Sequence, residues 1–166
     1  MTLDLTRAKQ HLRVTDTSED DLIGQYLAAA IAAVEQATSK KLTTSMVTQN
    51  ANRFGCYLPL HWGPDPEDLV ITYLDANLAE QTVDDARIVM GRAYPASTWP
   101  TATVNSPIRL EYMAGFPEAP DDLVMAVLLL VGHWFRNREG VTVGAVGTEM
   151  PMAVGALIQP YRSMVL

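Results

Sequence analysis

With 166 residues, 48% of them hydrophobic, the chain is long enough to bury the core of one domain, or of a domain carrying a sizeable insertion. A net charge of −7 and a pI near 4.8 argue against sequence-independent DNA binding, which needs Lys and Arg to neutralise phosphates. One cysteine, Cys56, excludes an intramolecular disulfide framework and fits synthesis in a reducing cytoplasm.

The N-terminus MTLDLTRAKQHLRV lacks the apolar run of a signal peptide and predicts a mixed-charge helix over 5–13. Asp4 can cap it, and Leu5, Ala8 and Leu12 share one face. Ser18-Glu-Asp-Asp21 has capping-box spacing and predicts a second helix from about Glu19. Along it Leu22, Ile23, Tyr26, Leu27, Ala30, Ile31 and Val34 recur at three- and four-residue steps, and the run AAAIAA lets another backbone approach closely. Thr38, Ser39 and the pair Lys40-Lys41 end it, with cations at the negative end of the dipole.

From Thr43 to Met113 the 3.6-residue period disappears, and six of the ten prolines fall here among β-branched residues. The expected strands are 46–54, 69–73, 86–90 and 108–113, separated by polar turns and by the proline-rich loop 94–107. Residues 43–107 hold three arginines (53, 87, 92) against seven acids, so this section is acidic.

Ala119 to Gly140 is the most apolar stretch: of the thirteen residues from Leu123 to Phe135 only Gly132 and His133 interrupt the apolar run. Pro120, Asp121 and Asp122 predict the start of a helix, and Arg136, Arg138 and Gly140 its end. A helix apolar on nearly every side is expected to be buried by protein all round. At roughly 20 Å it is too short for a membrane span. Beyond it, 141–151 reads as a glycine-rich connector and 153–159 as a short last helix stopped by Pro160; the chain then ends in an apolar tail with one charge. The fold class expected is α+β: a mainly helical bundle around one buried central helix, built from 1–42 and 108–166, with a small antiparallel β subdomain inserted at about 43–107.

The chemical inventory is thin. His11, His61 and His133 lie in separate elements, with no Cys, His or carboxylate at metal-ligand spacing, and no nucleophile elbow, phosphate loop or dinucleotide fingerprint is present. No catalytic residue, metal or cofactor is expected. The acids 19–21 are explained by a helix N-terminus, and Trp62 and Trp99 by half-buried caps over the small sheet. Arg136, Arg138 and Glu139 admit two readings, compensation of the helix dipole or pairing between subunits.

Three blocks in order carry a resemblance: LTRAKQHLRV with DLIGQYLAAAIAAVEQATSKKL; IRLEYMAGFPEAPDDLVMAVLLLVGHWFRNRE; and EMPMAVGALIQPYR. Together, over about 80 residues, they resemble the head-tail connector (adaptor) proteins of tailed bacteriophages and gene transfer agents, in the long form with a β insertion. The resemblance implies a structural virion protein and no enzyme. It implies a homo-oligomeric ring, commonly of about twelve subunits, below the portal protein at the virion neck. There the ring would join the head to stopper or tail-completion proteins and let genomic DNA pass without specific binding. By resemblance Trp134, Arg136, Asn137, Arg138 and Glu139 match the family's helix-end motif and Tyr161 and Arg162 its closing motif; with the tail residues Met164, Val165 and Leu166 they are the expected subunit or portal interface. Two rival readings stand beside it: a small cytoplasmic ligand-binding or regulatory module with its ligand at Trp62 and Trp99, and a hydrolase using His133 and a carboxylate.

Overall fold

The computed structural model describes residues 3–103, 106–138 and 151–162. They form an α+β structure of two compact units, one from the chain up to Leu42 and from Glu118 onward, the other from Thr43–Pro117.

The first unit holds four helices, α1 (Leu5–Leu12), α2 (Asp20–Thr38), α3 (Asp121–Arg136) and α4 (Met152–Ile158), the last continued by a 3-10 turn over Gln159–Tyr161. Asp4 caps α1 as its position predicts, its Oδ1 accepting the Arg7 N–H at 2.8 Å. The capping box expected at Ser18 does not form. Asp16, two residues upstream, accepts both the Ser18 N–H and its hydroxyl, which holds that side chain toward Asp16, and Glu19 stands at the N-cap of α2 with no side-chain cap bond. The apolar stripe does hold: Ile23, Leu27, Ala30 and Val34 are buried. At the far end Ser39 takes a left-handed conformation, and Lys41 does more than answer the dipole. Its Nζ lies 2.7 Å from the buried Glu35 carboxylate, which also accepts the Leu42 N–H at 2.9 Å.

Helix α3 starts after Pro120 with neither aspartate acting as a side-chain cap. Leu123, Val124, Ala126, Val127, Leu128, Leu130 and Val131 are buried, yet Met125 is 43% exposed and Leu129 half-buried, so the helix is not enclosed all round. Both α2 and α3 pack against each of the other helices of the unit, so a pair, rather than one rod, makes its centre. Gly132 faces α1: a methyl group there would stand 3.4 Å from the His11 ring, in ordinary van der Waals contact.

The second unit has two antiparallel sheets. Strands β1 (Ser45–Ala51), β3 (Glu67–Leu74), β4 (Glu80–Val83) and β7 (Ile108–Ala114) form a sheet in the order β1-β7-β3-β4; β2 (Leu58–Pro59), β5 (Arg87–Val89) and β6 (Arg92–Tyr94) form one in the order β2-β6-β5. The expected strands at 46–54, 69–73, 86–90 and 108–113 correspond to β1, β3, β5 and β7, while β2, β4 and β6 are too short to show a period. Because β7 is hydrogen-bonded between β1 and β3, this compact unit runs to Pro117. Register fixes the faces: Val47 opposes Tyr112, and Leu110 lies between Gln49 and Ile71. The inward set joins Leu58 and Ala93 of the smaller sheet, and Leu60 just after β2, in one core. A bulge between Glu67 and Val70, with Asp68 in the left-handed region, keeps β3 in phase. A polar clasp locks the loop after β2: the Tyr112 hydroxyl donates to Gln49 Oε1 at 2.9 Å and accepts the Trp62 N–H at 3.1 Å, while Gln49 Nε2 donates to the Pro59 carbonyl at 2.7 Å.

Candidate functional site

The residues at the end of α3 are held by three local devices. Asn137 stops the helix, its backbone N–H and its Nδ2 both donating to the His133 carbonyl, at 3.0 and 2.9 Å. Trp134 is half-buried against Tyr26 of α2, ring centroids 6.5 Å apart. Arg138 folds back: its guanidinium sits 4.7 Å over the Phe135 ring and pairs with the Glu19 carboxylate at the start of α2. With the Arg138 side chain 48% exposed, that pair is worth no more than about 1 kcal/mol. Arg136 differs. It is exposed, and among the described residues it makes no ion pair or side-chain hydrogen bond.

The closing motif lies against the other end of α3. The Tyr161 hydroxyl reaches Asp122 Oδ2 at 3.5 Å, and desolvation, reinforced by the Asp122 charge, raises its pKa above the ordinary value. Arg162 is exposed, with no ion pair among the described residues. Glu139, Met164, Val165 and Leu166, as well as Gly140 and nearly all of the expected connector 141–151, lie outside the described residues. The sequence motif is thus split between opposite ends of α3. Its intramolecular partners, Glu19, Tyr26 and Asp122, were legible only as helix-start acids and a stripe aromatic, because no local pattern says which helix end meets which.

The rival sites are not assembled. Trp62 packs on the core of the β unit, and Trp99 stacks on Phe54 with centroids 4.9 Å apart and planes 17° from parallel, so its ring face is already covered. A groove of about 540 Å³ in this unit is lined by Cys56, Arg87, Val89, Tyr94, Pro95 and Ser97 and by neither tryptophan. His133 is exposed and its Nδ1 stands 3.4 Å from the Asn137 amide, which is a cap contact, not a catalytic one. Among the described residues no three His, Cys, Asp or Glu side chains gather as a metal site would require, and no helix is long and apolar enough to cross a membrane.

The comparisons with known proteins give the protein a role. The family described as phage gp6-like head-tail connector protein matches residues 2–162. The chain belongs to this family. It is therefore a structural connector of the head-tail junction, not an enzyme. Solved structures agree in fold. In the neck of an empty gene transfer agent particle, computed with C6 symmetry, one chain is similar at 27% identity and a TM-score of 0.79, over 99% of this connector and 91% of that chain. A chain in the virion of a native gene transfer agent particle gives the same figures, 27% identity, TM-score 0.79 and 99% and 91% coverage. In the neck of a native particle, computed with C12 symmetry, the values are 26% and 0.75, over 99% and 90%. No curated protein sequence matches the connector.

Proposed function

We propose that the connector assembles as a ring of twelve below the portal protein in the virion neck, where it joins the head to stopper or tail-completion proteins and lets DNA pass. One observation carries this reading: the family match spans 2–162, and similar chains stand in necks computed with C6 and C12 symmetry, the first a subgroup of the second. A closed ring needs heterologous contacts, in which one surface of each subunit meets a different surface of the next. Arg136 and Arg162, exposed and unneutralised among the described residues, supply charge for such contacts, with Trp134, Asn137, Arg138 and Tyr161 fixing the helix ends behind them. Glu139 and the tail residues Met164, Val165 and Leu166 are included in the proposed subunit or portal interface. The two compact units act in it as a single connector domain, and α3 becomes enclosed all round only in the ring. The net charge of −7 suits a conduit that must release DNA, since few cations are available to hold phosphate.

The test is assembly of the full chain, alone at high concentration and with portal, followed by light scattering and negative-stain microscopy. Rings of about 220 kDa are expected from twelve 18.2-kDa subunits. Arg136→Glu with Arg162→Glu should weaken assembly while leaving the melting temperature of the subunit unchanged. A chain that stays monomeric with portal present would sink the proposal.

A further inference from the structure

Two surfaces of the β unit carry opposite charge, Glu80 on one and Arg87 on the other. The first is the tip of the β3–β4 hairpin, Asp75 to Glu80. Asp75 organises it: Oδ1 accepts the N–H groups of Asn77 and Ala79 at 2.8 and 3.1 Å, and Oδ2 accepts Gln81 Nε2 at 3.2 Å. The Leu78 N–H closes onto the Asp75 carbonyl at 2.9 Å, and Thr103 ties the base of the tip through Leu74 and Asp75. These bonds hold Leu78 at a φ of 61° with 67% of its surface in solvent. An aliphatic side chain in a left-handed turn conformation, pinned outward, is an unusual use of leucine. Both Asp75 oxygens are occupied by the turn, so the free charge beside Leu78 is that of Glu80, which is exposed and has no ion pair among the described residues.

The second surface is the groove on the outer side of the smaller sheet. Arg87 and Tyr94 are directly opposed in the β5–β6 register, and Val89, two residues along β5, shares their face and is 52% exposed. With Cys56, Pro95 and Ser97 they line the 540 Å³ groove. Tyr57 and the Arg92 guanidinium stacked 4.6 Å from its ring border this face. Arg87 has no carboxylate partner among the described residues; its one side-chain hydrogen bond there is a 3.5 Å contact to the Ala96 carbonyl. Tyrosine and arginine, two of the residue types enriched at interface anchor sites, stand together around this concavity.

We propose that the Leu78 tip of one connector seats in the Arg87–Val89–Tyr94 groove of a second copy, with Glu80 paired to Arg87. The occupant is a second copy because the same chain carries both halves, and because copies each bearing −7 repel unless arginine is brought to carboxylate at the contact. The contact is heterologous, tip to groove, so it propagates around a ring; in this it rests on the ring reading above. It also gives the insertion a task that the helix-end motif does not perform.

Cys56, the chain's single cysteine, lines the groove and makes the contact measurable. A seated Leu78→Cys side chain would lie within the roughly 4.4–6.8 Å Cα separation that a disulfide requires. Under mild oxidation the assembled full-length Leu78→Cys variant should give a ladder of covalent multimers that collapses on reduction. Wild type and Met46→Cys, whose site is 66% exposed on β1 at the opposite edge of the sheet from β4, set the background for chance collisions. Arg87→Glu should raise the concentration needed for assembly by about tenfold, and adding Glu80→Arg should restore it. Multimers seen by light scattering without a ladder above background, or with Arg87→Glu neutral, would overturn the tip-in-groove contact and leave the ring standing. A wild type that never assembles, with or without portal, would overturn the ring and this contact together.

Discussion

Gly115, in the Gly-aromatic turn between β7 and α3, offers the sharpest test of the fold. Its φ of +136° lies in a region that L-residues avoid, and a methyl group built on it would stand 2.3 Å from the Thr43 carbonyl oxygen and 2.7 Å from the Thr44 nitrogen. These are backbone atoms, and they are clamped. The Gly115 N–H donates to the Pro64 carbonyl at 3.1 Å, the Thr44 hydroxyl bonds the Gly115 and Phe116 carbonyls, and Ser45 pairs with Ala114 in the first rung of the β1–β7 ladder. Gly115→Ala therefore incurs conformational strain of about 1–3 kcal/mol and a steric penalty of similar size, together about 4 kcal/mol. Urea denaturation followed by fluorescence reads the effect, because Trp62 and Trp99 both pack in this unit. For an m-value of about 2 kcal/mol/M the midpoint should fall by about 2 M at unchanged slope. A fall of less than about 0.5 M would mean that the turn relaxes freely and that the close approach does not constrain it.

Other outcomes follow from the same structure. Gly24 in α2 has open space where its Cβ would be, so Gly24→Ala should stabilise the helical unit by about 0.5–1 kcal/mol; destabilisation on thermal melting would contradict that geometry. Tyr112→Phe keeps the buried ring but removes the hydroxyl that accepts the Trp62 N–H and donates to Gln49, and should cost about 1–3 kcal/mol in the same urea assay. Burial raises the Tyr112 pKa above 10.0, so the folded state favours the neutral phenol. Stability from this group is full below about pH 10 and is lost as pH rises through the raised value, and a wild type and Tyr112→Phe with the same alkaline unfolding profile would refute this. The Asp75 carboxyl is held below its usual range by the Ala79 and Asn77 N–H groups. Stability linked to it is present above pH 3.8 and lost as pH falls through the lowered value, and Asp75→Ala should speed hydrogen exchange at Asn77 and Ala79 at neutral pH.

How much was legible differs from element to element for a physical reason. Asp4, the stripe from Ile23 to Val34 and the apolar run of α3 report their own conformation, because capping and a 3.6-residue period involve neighbours within one or two turns. The helix-end and closing motifs were visible as a resemblance, and with it the family. Their intramolecular partners were not: Arg138 meets Glu19 across 119 residues, a pairing that only the packed helices bring about. Ser18 shows that even a local signal has competitors, since Asp16 took the hydroxyl that the capping box needed.

By itself, then, the sequence determined where helices run, that residues beyond Leu42 turn to strands, and that charge and composition favour a surface-built protein over a chemical site. Tertiary structure alone decided that β7 lies between β1 and β3 and so carries the β unit to Pro117, and that strands of two to four residues complete its sheets. It also decided that Leu78 faces solvent on a braced tip while Arg87 and Tyr94 share a face. Strand pairing and exposure depend on residues tens of positions apart, whose loop-closure cost is repaid only by the finished core. No window of sequence contains that sum.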